Sequence, residues 1–183
     1  MEIPTLRRMK VPLLGAAMAV LFGGSVARGQ TAGEYELKAA FLFNFAQFVD
    51  WPARAFADAN SPLVIGVLGD DPFHGALERA TQGETINKRK LLVSHYRRIE
   101  DAKTCHILFI SKSENGRLTE ILSSLRGTNI LTVGDSEQLA RKGGIIDFTM
   151  EGNKVRFEIN VEAARRAELK VSSKLLKLGK IVG

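Results

Sequence analysis

The chain has 183 residues, a formal net charge of +6 and a single cysteine. That length suits one ordinary domain whose core needs no disulfide or metal staple. A lone cysteine excludes an intrachain disulfide and a zinc-cysteine site, and so small a basic excess, without interleaved aromatics, excludes a nucleic-acid binder.

Arg7, Arg8 and Lys10 precede an uncharged run over residues 11–26, and Ser25-Val26-Ala27 offers the small residues that a signal peptidase reads. Residues 1–27 are expected to be a cleaved secretory leader, cut after Ala27 or Gly29, with one domain over 28–183. Pro12, Gly15, Gly23 and Gly24 interrupt the run, which falls short of the ~20 residues that span a bilayer. The mature chain is therefore expected outside the cytoplasm.

Residues 34–52 are the most aromatic stretch, with Tyr35, Phe41, Phe43, Phe45, Phe48 and Trp51. The spacing of Leu37, Phe41, Phe45 and Phe48 predicts an amphipathic helix stopped at Pro52. Tyr35, Leu42 and Val49 widen its apolar arc, so the helix is expected to be covered on two sides, and self-association as a homodimer would supply a cover. Glu36, Gln47 and Asp50 make the polar face. Phe43 stands among them, either as a contact surface for a partner or as an ordinary exposed apolar residue.

A buried strand is predicted over 63–68, then Gly69-Asp70-Asp71-Pro72 and a short helix over 73–80. Residues 81–88 read as a loop or short edge strand and 90–97 as the next strand. The unbroken apolar run 105–110 reads as a central parallel strand. Ser113 is expected to cap a helix over 114–125 ending at Gly127, followed by a strand over 130–133. Ser136 is expected to cap a shorter helix before Gly143-Gly144. Residues 145–150 and 154–160 flank Glu151-Gly152-Asn153 as an antiparallel hairpin. A short helix follows over 161–167, and Ser172 or Ser173 caps the last one. The fold expected is α/β: a single three-layer αβα domain with a mixed, mostly parallel sheet ending in an antiparallel hairpin.

The stretches KAAFLFNFAQFVDWP, IGVLGDDPF, CHILFI, LTVGD, GGIIDF and RFEINVEAARRAELKVSSKLLKL occur in that order. Together they resemble the YfiR family of small secreted bacterial proteins, over essentially everything after residue 33. The resemblance implies a periplasmic repressor that binds the extracytoplasmic sensor domain of a membrane-bound diguanylate cyclase and holds it inactive. Many such relatives carry cysteine pairs, and one of those cysteines resembles Cys105. Its partner is absent here, so redox control is not carried over, and Cys105 reads as a buried core residue.

No nucleophile with a base, metal set or carboxylate pair stands out, so no catalytic residue, cofactor or metal is expected. His74, His95 and His106 follow no metal-ligand spacing. Asp70, Asp71 and His74 lie on the crevice side after the first strand and are the ligand-binding candidates, although turn chemistry alone explains an Asp-Asp-Pro loop. The glycines at 66 and 69 do not make a dinucleotide fingerprint, and a receiver domain is excluded because Phe109-Ile110-Ser111-Lys112 carries no Asp to accept phosphate.

The basic excess sits in the last segment, on Arg165, Arg166, Lys170, Lys174, Lys177 and Lys180. It reads as decoration of helix ends, as attraction to an anionic membrane or as a dock for an acidic partner. Arg156 and Glu158, with Arg165 and Arg166, form either an ion-pair ladder or a recognition patch. Two functions result. One is a regulator touching its membrane partner through Phe43, Glu36, Gln47, Asp50, Arg165, Arg166, Lys174 and Lys177. The other is a small-ligand sensor with its pocket between residues 69–74 and Gly134-Asp135-Ser136.

Overall fold

The computed structural model describes residues 25–136 and 138–183, with side chains from residue 32 onward. Of the expected leader, residues 1–24 lie outside the described residues. The helices are α1 (Ser25–Phe48), α2 (Ala76–Thr81), α3 (Leu118–Ser124), α4 (Val161–Arg166) and α5 (Ser173–Leu176). The strands are β1 (Val49–Asp50), β2 (Leu63–Leu68), β3 (Thr85–Ile86), β4 (Arg89–Tyr96), β5 (Ile107–Ile110), β6 (Leu131–Gly134), β7 (Ile146–Glu151), β8 (Lys154–Asn160), β9 (Lys170–Val171) and β10 (Lys180–Val182).

Around α1 the buried residues are Tyr35, Lys38, Ala39, Leu42, Phe45, Ala46 and Val49, at the spacing of three and four that keeps one stripe on the sheet. This stripe is rotated from the expected one. Leu37 is 46% exposed, and Phe41 and Phe48 are half-buried. Phe43 is also corrected: it is half-buried against the main core instead of standing free on the polar face. The helix ends short of Pro52 because Val49–Asp50 turns extended and pairs antiparallel with β9. Proline disfavours helical backbone at its predecessor, here Trp51, so the helix has to end before it.

The main sheet has eight strands in the order β10-β8-β7-β6-β5-β2-β4-β3. Strands β4, β2, β5, β6 and β7 are parallel neighbours in the flavodoxin-like order, whose topological switch point lies at the carboxyl ends of β2 and β5. Glu151 pairs with Lys154 across the hairpin turn, where Gly152 takes φ +59°. The hairpin is not the sheet edge, since β10 adds parallel to the outer side of β8.

Side chains alternate between two layers, as strand geometry requires. Ile65, Val67, Ile107, Phe109, Leu131 and Val133 face α1 and α2. Leu68, Leu108 and Ile110 face the other way, onto Leu118, Ile121 and Leu125. Two expected caps are corrected. Ser111, not Ser113, caps the turn leading into α3, and the Ser113 hydroxyl instead accepts the Asp70 N–H at 2.9 Å. The helix expected after Ser136 does not form among the described residues, because the buried Asp147 carboxylate takes the Leu139 N–H at 2.8 Å and holds the segment in turns.

The last segment is structural. It buries Ala163, Ala164, Leu169 and Leu175, and supplies the partners of β1 and β8. The two leucines alone stabilise the fold by roughly 2–3 kcal/mol each. Truncation after Asn160 is therefore expected to abolish cooperative unfolding, measured by circular dichroism against urea. A truncated chain that still unfolds cooperatively would show the segment to be an appendage.

Candidate functional site

Lys38 lies in the middle of the buried stripe of α1, with 2% exposure. An ammonium taken out of water must be compensated by charge and hydrogen bonds. Its Nζ contacts Glu34 Oε1 at 2.5 Å and Asp135 Oδ2 at 2.8 Å. Tyr35 Oη donates to the same Asp135 oxygen at 2.6 Å, and Lys112 Nζ approaches it at 3.6 Å from the end of β5. The Tyr35 ring centroid lies 4.5 Å from the ammonium, so a π-face and two carboxylates share it. Burial, and then the bond to Asp135, hold the Tyr35 hydroxyl well above its ordinary range, which keeps it a donor.

The cluster sits at the carboxyl ends of the parallel strands, where α/β sheets bind ligands. Asp135 Oδ1 and Ser136 Oγ are buried there without a hydrogen-bond partner among the described residues. The two ammonium groups on Asp135 oppose a metal ion. The geometry of the cluster positions α1 over β6.

The ligand-binding candidates Asp70, Asp71 and His74 lie in the loop after β2. At the switch point, the space beside Gly69 is filled by Ser113 and Glu114, leaving no room even for a Cβ. Asp71 Oδ1 accepts the Phe73 N–H at 2.8 Å, a turn within its own loop. Asp70 and His74 are exposed, His74 with φ +49°, and no group of three metal-ligating side chains occurs among the described residues.

Of the partner-contact candidates, Glu36, Gln47, Asp50, Arg165, Arg166, Lys174 and Lys177 are exposed. Glu36, in the middle of α1, lies 3.8 Å from Arg79 of α2. Asp50 pairs with Lys170 in register, and α5 packs on α1, which brings Asp50 to the same end as Lys174 and Lys177. Arg165 pairs with Glu162 at 3.0 Å on its own helix. The expected ladder is redrawn: Arg156 meets Glu151 at 3.5 Å, and Glu158 meets Lys180 at 3.0 Å across β8 and β10.

Three buried titratable groups complete the picture. Burial pushes the Cys105 thiol up to about 12, so it is an inert core residue, as expected. His106 accepts the Val64 N–H on Nδ1 and faces Ala55 O with Nε2, which fixes the neutral tautomer, and burial lowers its pKa. Burial raises Asp147 to about 6 against the backbone N–H groups that favour its charge.

Lys38 is not singled out in the sequence, because an apolar stripe gives no place to a charged residue. The signal is its place three residues after Tyr35 and four before Leu42, inside a stripe otherwise apolar. Lys38→Met is expected to lose roughly 3–5 kcal/mol in urea unfolding by stranding Asp135, and Lys38→Met with Asp135→Ala to recover part of that loss. For Asp147, a folded pKa raised above the unfolded one means a contribution present below pH ~4 and lost as pH rises through ~6. The stability difference between wild type and Asp147→Asn is expected to shrink by about 2–3 kcal/mol over that window. A pH-independent difference would assign Asp147 an ordinary pKa.

No curated protein matches the chain. The model of the YfiR/HmsC-like family matches residues 35–180, from Tyr35 in the charge cluster to the start of β10. At family level this supports a periplasmic regulator of diguanylate cyclase. By that match, the chain belongs to the YfiR/HmsC-like family.

Proposed function

We propose that this protein is exported through a cleaved leader, binds the periplasmic sensor region of a membrane-bound diguanylate cyclase and holds the enzyme inactive. The observation that carries this reading is the family match over residues 35–180. The structure supports a binding role through an exposed polar surface that combines Gln47 and Asp50 at the end of α1 with Lys174 and Lys177 of the terminal segment. A repressor of this kind acts by binding the inactive receptor conformation more tightly than the active one. Phe43 is a weaker contact candidate now that it packs against the core.

A second reading, a small-ligand sensor, draws on the unpartnered Asp135 Oδ1 and Ser136 Oγ at the end of β6. The two readings are compatible, because ligand occupancy could shift affinity for a partner.

Deleting the gene is expected to raise cellular cyclic di-GMP, and the double variant Lys174→Glu, Lys177→Glu to do the same without moving the thermal midpoint of the purified protein. Both lysines are exposed, so the variant should fold. Affinity capture from membranes should recover the cyclase with wild type and less of it with the variant. Unchanged cyclic di-GMP on deletion would overturn the proposal.

A further inference from the structure

A cavity of about 680 Å³ opens between the carboxyl end of α3, the turn at Lys142-Gly143 and α4, on the side of the sheet away from α1. That volume lies in the range of small-molecule sites. Its floor is apolar, with Leu122, Ile130 and Ile145, the last two almost fully buried. Three cations, Arg126, Lys142 and Arg166, stand on its lining, and no Asp or Glu lines it.

None of these three cations makes an ion pair among the described residues, a state they share with other exposed cations such as Arg97, Lys103 and Lys174. Three charges from three separate elements, unpaired among the described residues around one apolar floor, create a local positive potential that favours an anion. Both rims are turns, and Arg126 and Lys142 are exposed on them. Arg126 precedes Gly127 at φ +76°, and Lys142 precedes Gly143 at φ +102°, and added Cβ atoms at both glycines would meet open space.

We propose that this cavity binds a small organic anion with an apolar body. Its carboxylate or phosphate sits among Arg126, Lys142 and Arg166, and its hydrocarbon part covers Leu122, Ile130 and Ile145. Charge-assisted hydrogen bonds to guanidinium groups supply orientation, and apolar burial supplies affinity. The site lies apart from the Lys38–Asp135 cluster and stands without any membrane partner.

Calorimetric titration of the full chain with decanoate tests this, with decanol and inorganic phosphate as the two halves of the ligand. Saturable decanoate binding, tighter than that of either half, is expected. Combined Arg126→Gln, Lys142→Gln, Arg166→Gln should weaken it about tenfold or more. Ser123→Trp, placed on the exposed rim, should block it without touching a charge. Absence of saturable decanoate binding, equal binding of decanol or phosphate, or decanoate binding unchanged in both variants would overturn the proposal.

Discussion

The contact on which the rest of this architecture depends is the buried pair Lys38–Asp135. Apolar burial alone does not fix where a helix sits along its own axis, because a stripe of Ala, Leu and Phe repacks at similar cost after a one-turn slip of ~5.4 Å. A buried ammonium does fix it. Slipping α1 by one turn would leave Lys38 with Glu34 alone and Asp135 with only the more distant Lys112, two under-compensated polar groups in the interior. The pair is a register lock more than a source of net stability, since desolvation offsets much of its Coulomb energy. Because α1 runs directly into β1, and β1 pairs with β9, the same lock sets the position of the terminal segment.

This also explains what was legible in the sequence. Strands β2, β4 and β5 and the β7–β8 hairpin announced themselves because continuous apolar runs and a Glu-Gly-Asn turn carry their signal locally. The position of α1 was legible and its rotation was not. Hydrophobicity placed Leu37 inside, whereas the structure exposes it and buries Lys38, because the residue that completes Lys38 is Asp135, 97 positions away. The missing helix after Ser136 has the same origin. Asp147 captures the backbone of that loop from a neighbouring strand, a competition that no local propensity records. Strand β10 was invisible because three residues with one exposed lysine make no pattern until β8 gives them a partner.

The packing around the candidate ligand loop depends on distant residues in the same way. An open α/β sheet raises the expectation of a crevice at its switch point, and Asp70, Asp71 and His74 fell there by position. Whether a crevice exists is decided by what the neighbouring loop brings, and here Ser113 and Glu114 close over Gly69. Free space appears at a different place, where the layer opposite α1 is thin. There α3 contributes only Leu118–Ser124, so it ends before the sheet does, and the uncovered margin becomes the cavity ringed by Arg126, Lys142 and Arg166.

The basic tail joins these threads to regulation. Its residues divide cleanly: Leu169 and Leu175 are buried, while Lys174 and Lys177 are exposed. The positive charges are therefore carried by a packed scaffold and not by a loose arm. A partner that docks on a rigid surface loses little to ordering entropy, so more of the contact energy remains to discriminate between the receptor's conformations. That discrimination is what the proposed repressor role requires. The constraint runs from Lys38 through the register of α1 to β1 and β9, and from there to the geometry of the displayed lysines.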